Sequence, residues 1–334
     1  MQAIQITETG GPEKMQRVEL GLPEPGPGQA LLRIEASGVN FIDTYHRSGL
    51  YPVPFPFTLG VEAAGTIEAL GGLEQGEADA AFAIADRVAW TGVPGSYASH
   101  CLAPTDRLVR IPDALSTELA AATLLQGMTA HYLTHGVRET RPGDTALVHA
   151  AAGGTGGLLV QLLKQAGARV IATCGTSEKA ELARESGADE VILYRDEDFQ
   201  ARTRDWTDGR GVDVVYDSVG QSTFEGSLHS LRPRGLLCLF GQASGPVPPF
   251  DLGRLSGAGS LFITRPTLAH YIADRESLDE RAGVIYEALA QGTLRQRIGG
   301  RYALAEAAKA HSDLESRGTI GKLLILMDAA AGKA

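Results

Sequence analysis

The segment Thr145-Ala-Leu-Val-His-Ala-Ala-Ala-Gly-Gly-Thr-Gly-Gly157 leads from a short apolar stretch into small residues, and the apolar run Leu158-Leu-Val-Gln-Leu-Leu163 comes after it. Ala151, Gly153 and Gly156 stand at i, i+2 and i+5, the spacing of the G-x-G-x-x-G turn that receives a dinucleotide pyrophosphate. The residue types suit that chemistry. Small side chains let the backbone approach an anion, and the next helix aims unpaired N–H groups and the positive end of its dipole at it. Ala151 replaces the first glycine, so the pattern taken alone also fits an ordinary tight strand-to-helix turn.

Pro142-Gly143-Asp144 marks a turn ahead of this strand, and Gly167-Ala-Arg-Val-Ile-Ala-Thr173 reads as a second strand beyond the helix. Together they have the ~30-residue length of a βαβ unit. A cofactor with a free ribose 2′-hydroxyl wants Asp or Glu where that second strand ends. Here Thr173-Cys-Gly-Thr-Ser177 stands there, and the first acid, Glu178, has Lys179 beside it. Small hydroxyl residues and a lysine suit a 2′-phosphate, so NADPH is expected in preference to NADH. Lys179 by itself also fits a solvated place in a helix first turn, and the missing acid is the stronger half of the argument.

With 334 residues, 43% hydrophobic and 21% charged, the composition is that of a globular protein of one or two domains. The net charge of −10 and the absence of a basic patch disfavour nucleic acid and anionic membranes as partners. No apolar run approaches the ~20 residues of a membrane span. The N-terminus lacks a charged-then-apolar signal, so a cytoplasmic location is expected. Cys101, Cys174 and Cys238 are far apart and form no C-x-x-C, which argues against a disulfide framework or a thiolate zinc site.

Short strands and turns fill the first third: Gln2-Ala-Ile-Gln-Ile6, Ala30-Leu-Leu-Arg-Ile-Glu-Ala36, Ala63-Ala-Gly-Thr-Ile-Glu-Ala69 and Asp86-Arg-Val-Ala-Trp90. Residues 74–85 are acidic and Ala-rich and read as a surface loop. From Thr117 the pattern becomes alternating helices and strands, with strands at 145–149, 169–173, 190–194, 212–216 and 236–240. That rhythm predicts a doubly wound parallel sheet with helices on both faces. After about 262 come helices and one last strand, Gly321-Lys-Leu-Leu-Ile-Leu326. A lone terminal strand needs a partner, so the tail is expected to return to the N-terminal β domain. The expected domains are 1–122 with 263–334, β-rich and carrying the substrate site, and 123–262, binding the dinucleotide.

Several motifs in order carry a family resemblance over nearly the whole chain: Gly38-Val-Asn-Phe-Ile-Asp-Thr-Tyr-His-Arg-Ser-Gly-Leu-Tyr51, Leu59-Gly-Val-Glu-Ala-Ala-Gly65, His149-Ala-Ala-Ala-Gly-Gly-Thr-Gly156, Val215-Tyr-Asp-Ser-Val-Gly220 and Thr264-Arg-Pro266. The chain resembles the zinc-independent medium-chain dehydrogenase/reductases of the quinone oxidoreductase type, including the zeta-crystallin relatives. The resemblance implies an α/β protein, with a discontinuous GroES-like catalytic domain and a doubly wound Rossmann cofactor domain. It implies no zinc. Gly60-Val61-Glu62 stands where the zinc enzymes have Gly-His-Glu, Asn40-Phe41 occupies the region of their catalytic Cys, and the four-cysteine lobe is missing. Without a metal, reducing an already electrophilic quinone or enone is easier than oxidising an alcohol, and alignment in a dry interdomain cleft suffices.

The resemblance also implies roles for residues. Asn40 and Tyr45 would face the nicotinamide and substrate, with Asp43 and Tyr51 nearby; Asp43 also fits a purely local backbone role. Gln126 and Thr129 would approach the nicotinamide. Ala152, Gly153, Gly154, Thr155 and Gly156 would line the pyrophosphate. Gly175, Thr176 and Lys179, with Tyr194, would hold the 2′-phosphate, and Ser218 and Val219 would sit near the adenine ribose. Phe240, Gly241, Thr264 and Arg265 would lie on the nicotinamide-ribose side, and Arg317 would close over the cofactor or be a solvated helix-end residue. The leading expectation is NADPH-dependent reduction of a small-molecule quinone or other electrophilic acceptor. The alternatives are a reductase of enone or enoyl double bonds and a non-catalytic NADPH-binding protein. A homodimer is expected through an apolar edge strand within Gly257-Ala-Gly-Ser-Leu-Phe-Ile-Thr264.

Overall fold

The strand–helix rhythm beyond Thr117 resolves, in a computed structural model that describes residues 1–72 and 82–327, into a six-stranded sheet. Its order is Glu190–Leu193, Arg169–Cys174, Thr145–Val148, Val212–Asp217, Leu231–Leu239 and Phe262–Thr264, and every neighbouring pair is parallel. Starting from Thr145–Val148 the chain steps outward twice, then returns to the other side with Val212–Asp217. The carboxyl ends of those two strands therefore flank the switch point where such sheets bind ligands. Helices Gly154–Gln165, Ser177–Glu185, Phe199–Trp206 and Phe224–Ser230 make the crossovers. The strands are short and apolar because both faces are covered: Leu147, Ile171, Ile192, Val215 and Leu237 are buried in one core.

Of the remaining strands, which pair mainly antiparallel, Gln16–Glu19, Gln2–Ile6 and Phe57–Thr58 make a small three-stranded sheet and the others a seven-stranded one, in which Gln29–Val39, Glu62–Leu70 and Lys322–Leu326 are buried over most of their length. The order is Ile298–Ala303, Lys322–Leu326, Gln29–Val39, Glu62–Leu70, Arg87–Thr91 and Val109–Arg110, with His100–Pro104 also pairing Gln29–Val39. The terminal strand lies antiparallel to Gln29–Val39, with Leu324 opposite Gly38, so the tail does return to the N-terminal sheet. Leu32, Ile34, Trp90, Tyr97, Leu108 and Ile325 are central to this second core.

Two compact units result, Met1–Leu125 with Ile272–Ala334, and Gln126–Tyr271. The boundary expected at 262/263 thus falls at 271/272. Phe262–Thr264 is the sixth strand of the parallel sheet, and Tyr271 stacks on Tyr132 with ring centroids 4.4 Å apart. The boundary expected at 122/123 falls at 125/126, inside the helix Thr117–His131. Of the acidic stretch 74–85, residues 74–81 lie outside the described residues. Phe82 is not a surface residue; it is buried in the N-terminal core.

Candidate active site

At the carboxyl end of Thr145–Val148 the chain turns through Ala150, whose φ of 52° is left-handed, into the helix Gly154–Gln165. Gly153 is the N-cap, no side chain caps the helix, and its first turn holds no acid. By contrast, the helices Ser177–Glu185 and Phe199–Trp206 are capped by the side chains of Thr176 and Asp198. The helix Phe224–Ser230 is likewise uncapped but has Glu225 in its first turn, whereas the bare, acid-free start at Gly154, Thr155 and Gly156 can accept an anion. Gly156 is needed for close packing, because a Cβ there would overlap the Ala150 carbonyl. A Cβ at Gly154 would overlap the Gln126 amide, which places Gln126 against this turn. Thr129 lies one helical turn further on and is buried, as is Ala152.

The next turn gathers positive charge. Burial lowers the Lys179 pKa, and the nearby Arg195 guanidinium lowers it further. Gly175 sits under the tip of Tyr194 and close to Arg195: its Cβ would come 2.7 Å from the Tyr194 oxygen and 3.4 Å from Arg195 Nε. Thr176 accepts the Lys179 N–H at 3.3 Å, and a hydroxyl that accepts from the helix can still donate to a ligand. Two mutually repelling cations beside a capped helix start and a glycine fit a phosphate dianion. Arg195 was not among the sequence-predicted residues; its signal is a basic residue just past the end of the third strand. The turns after Val212–Asp217 and Leu231–Leu239 touch through their backbones. Phe240 and Gly241 donate N–H groups to Asp217 O at 2.9 and 3.3 Å, and a Cβ on Gly241 would lie 2.5 Å from Ser218 O. Arg265, beside Thr264, donates to Leu239 O at 3.1 Å. These residues therefore share one end of the sheet.

In the other unit, the helix Phe41–Ser48 starts at Asn40 and carries Asp43 and Tyr45. The Tyr45 and Tyr51 rings meet edge to face at 5.3 Å, with Tyr45 buried and Tyr51 partly exposed. Asn40 is 5% exposed, and both ends of its amide are engaged. Its Nδ2 donates to Glu62 Oε2 at 2.8 Å, and its Oδ1 accepts from Lys322 Nζ at 2.7 Å. Lys322 Nζ also pairs with Glu62 Oε2 at 2.6 Å, with both residues fully buried. Glu62 Oε1 accepts the Leu125 N–H at 2.7 Å.

Asp43 joins a second buried chain. Its Oδ2 accepts the Asn40 N–H at 2.8 Å and the Tyr97 hydroxyl at 3.1 Å, while Oδ1 is buried with no partner. Burial pushes its carboxyl up to about 7. Arg47 can only donate, so His311 Nδ1 accepts from it at 3.1 Å, and His311 Nε2–H then donates to Tyr97 at 3.1 Å. Burial, with the Arg47 charge, drives His311 down to about 3, which keeps the ring neutral as this chain of bonds requires. Arg47 closes the chain with a two-pronged bond to Glu315 at 2.7 and 3.1 Å. Arg317 lies just beyond the helix Ala307–Glu315 in this unit, exposed and with a left-handed φ of 56°.

Glu62, Lys322, Tyr97, His311 and Arg47 were absent from the sequence-predicted set. The available signal was a lone charge in an apolar run, as at Lys322 in Gly321-Lys-Leu-Leu-Ile-Leu326 and Glu62 in Leu59-Gly-Val-Glu-Ala-Ala-Gly65. Among the described residues no three His, Cys, Asp or Glu side chains come together to hold a metal ion. The charge of Glu62 is instead answered by the Lys322 ammonium. This donor set does not fit zinc.

Comparison with known proteins gives matches over the full chain. The alcohol dehydrogenase GroES-like domain family matches residues 26–113, and the zinc-binding dehydrogenase family matches residues 154–274. A quinone oxidoreductase of Pseudomonas aeruginosa is 45% identical, covering 97% of this chain and 98% of its own length. A 2-haloacrylate reductase of a Burkholderia species is 41% identical, covering 98% of this chain and 99% of its own length. The crystal structure of Escherichia coli quinone oxidoreductase complexed with NADPH superposes with a TM-score of 0.94 at 41% identity, covering 98% of this chain and 100% of that one.

Proposed function

Because the chain belongs to the quinone oxidoreductases of the medium-chain dehydrogenase/reductase family, we propose that it reduces quinones with NADPH, by hydride transfer without a metal. The observation that carries this reading is the pair Lys179 and Arg195 beside Gly175 and Thr176, where an NADH enzyme would place an acid. Bound NADPH supplies the hydride, from nicotinamide C4. The backbone from Ala152 to Gly156 holds the pyrophosphate at the uncapped helix start. Gly175, Thr176, Lys179 and Arg195, with Tyr194, hold the 2′-phosphate. Ser218 takes the adenine-ribose side, and Gln126, Thr129, Phe240, Gly241, Thr264 and Arg265 flank the nicotinamide half. Tyr45 and Tyr51 seat the ring of the acceptor. Asn40 and Asp43 act by fixing the start of the helix that bears Tyr45, since Asp43 Oδ2 accepts the Asn40 N–H there and the Asn40 amide is anchored by Lys322 and Glu62. A substrate that arrives electrophilic needs no Lewis acid, so a buried ammonium is tolerated beside Glu62.

A second reading, reduction of an activated carbon–carbon double bond, is favoured by the likeness to the 2-haloacrylate reductase. NADPH oxidation with 1,4-benzoquinone, 9,10-phenanthrenequinone, an enone and a 2-haloacrylate separates the two. Turnover of the alkenes alone would replace the first reading by the second. For the cofactor, a charge-assisted bond to phosphate is worth about 1.5–3 kcal/mol, so Lys179→Ala weakens NADPH by about one to two decades. NADH binding stays unchanged. Equal affinity of the unaltered protein for NADPH and NADH would sink the cofactor assignment.

The proposal includes a homodimer. Phe262–Thr264 is the last strand of its sheet among the described residues, and Phe262 is 60% exposed there. Pairing this edge with its twin would satisfy its backbone and cover the ring. It also includes a cytoplasmic location; among the described residues no helix is long and apolar enough to cross a membrane.

A further inference from the structure

Three of the turns assigned to the cofactor leave the sheet at the ends of Thr145–Val148, Arg169–Cys174 and Val212–Asp217. The strand ladders run to Ala172 opposite Val148 and Val148 opposite Tyr216. Just past that point stands His149, 2% exposed, whose ring meets the end of Arg169–Cys174 directly and that of Val212–Asp217 through Ser227 of the helix Phe224–Ser230. Its Nδ1 lies 2.9 Å from Thr173 Oγ1 and its Nε2 lies 3.0 Å from Ser227 Oγ. Ser227 in turn donates to Asp217 Oδ2 at 2.8 Å. Asp217 also receives Thr223 Oγ1 at 2.7 Å and the N–H groups of Val219 and Gly220 at 2.8 and 3.0 Å.

The directions of these bonds are fixed by the donor count. Four donors aim at the two oxygens of Asp217, so the Ser227 proton is spent there. Ser227 Oγ must then accept from His149 Nε2–H, which leaves Nδ1 bare to accept the Thr173 hydroxyl. A neutral imidazole in one tautomer is thus the link between Thr173 and the Asp217 turn. Backbone bonds hold the same strand end: the Ala151 N–H donates to Thr173 O at 3.3 Å, and the ladders pair Ala172 with Val148 and Thr173 with Ile192. The imidazole adds a tie from the Thr173 side chain to the Asp217 turn.

We infer that His149 is a positioning residue for cofactor choice: it holds Thr173, and so the Gly175–Lys179 turn, in register with the pyrophosphate turn and the Asp217 turn. Both of its ring nitrogens are engaged by protein hydroxyls. The inference rests on the proposed NADPH site. NADPH would use the Gly175–Lys179 turn for its 2′-phosphate, whereas NADH would not. Loss of the imidazole therefore lowers discrimination, beyond any general loosening.

The test is direct titration of NADPH and NADH, by fluorescence, into the full chain and its His149→Phe, His149→Gln and Thr173→Val variants. Leu237→Ala, a buried residue of the same core outside this chain of bonds, serves as the control for general destabilisation. In His149→Phe the NADPH Kd rises about tenfold, the effect of one lost hydrogen bond's worth of alignment, while the NADH Kd rises by less than about threefold. Thr173→Val behaves likewise and covers the case in which His149→Phe fails to fold. His149→Gln keeps one donor and one acceptor and restores most of the preference. Leu237→Ala lowers the unfolding temperature but leaves the NADPH:NADH ratio unchanged. If the unaltered protein prefers NADPH and the folded His149 and Thr173 variants keep that ratio, this inference alone is overturned. If the unaltered protein shows no preference, the cofactor reading falls and takes the inference with it.

Discussion

Lys322→Met is the most demanding perturbation of the substrate-side unit. In the folded protein the Lys322 ammonium lies 2.6 Å from Glu62 Oε2 and 2.7 Å from Asn40 Oδ1, with no exposure of Lys322 or Glu62. Methionine fills the volume but removes the charge. Glu62 keeps the Leu125 N–H and Asn40 Nδ2 and loses the ammonium that neutralises it. Breaking a buried pair from one side costs about 3–5 kcal/mol, because the remaining charge stays desolvated. The orphaned Asn40 Oδ1 adds about 1 kcal/mol. Glu62→Gln in the same chain removes the stranded charge yet still accepts from Leu125, so Lys322→Met/Glu62→Gln should recover at least about half of the loss. Urea unfolding in a Trp206→Phe background reads this unit by itself: the chain has two tryptophans, and the remaining one, Trp90, is buried in the N-terminal core opposite Ala63, next to Glu62. A loss below about 1 kcal/mol for Lys322→Met, or a double variant as unstable as the single one, would refute the view that the ammonium neutralises Glu62.

Stability should depend on pH through two buried groups of opposite sign. His311 is depressed to about 3, so its contribution is present above the usual value of 6.5 and is lost as pH falls toward 3; His311→Gln flattens the acid limb of the urea midpoint. Asp43 is raised to about 7, so its contribution is full below the usual 3.8 and is lost as pH rises through 7; Asp43→Asn makes the midpoint higher than that of the unaltered protein above neutral pH, and an unchanged profile would contradict the burial argument. Phe262→Asp should shift sedimentation from a dimer toward the 35.2 kDa chain mass, and a monomer before substitution would remove the dimer from the proposal. Purified protein should hold less than stoichiometric zinc and keep its activity in a chelator, and activity lost to chelation and restored by zinc would reverse the reading of the Glu62–Lys322 pair.

Local signals in the sequence determined much of this protein. The alternating apolar runs and helices from Thr117 onward specify a parallel sheet because each strand–helix unit must cover its own apolar faces. The small residues from Ala150 to Gly157 specify a tight turn into a bare helix start because backbone approach and capping depend on adjacent positions alone. The missing acid after Thr173 is equally local, and so is Arg195, a basic residue just beyond the third strand that the same reasoning could have reached. Register was the first thing left to tertiary structure. Leu261 and Phe262 both read as part of one apolar edge strand, but Leu261 is 6% exposed inside the core and Phe262 is 60% exposed at the edge, a difference set by which face the pairing with Leu231–Leu239 presents. The polar chains came next. The partner of the Asn40 amide, Lys322, stands 282 positions away and only the folded chain brings it there. Asp43, Tyr97 and His311 show no common spacing until the sheet and the returning tail bring them within hydrogen-bond reach. A charge buried with its partner carries no periodicity, because what makes burial tolerable is a group supplied by another part of the chain, and only the folded chain brings that group to it.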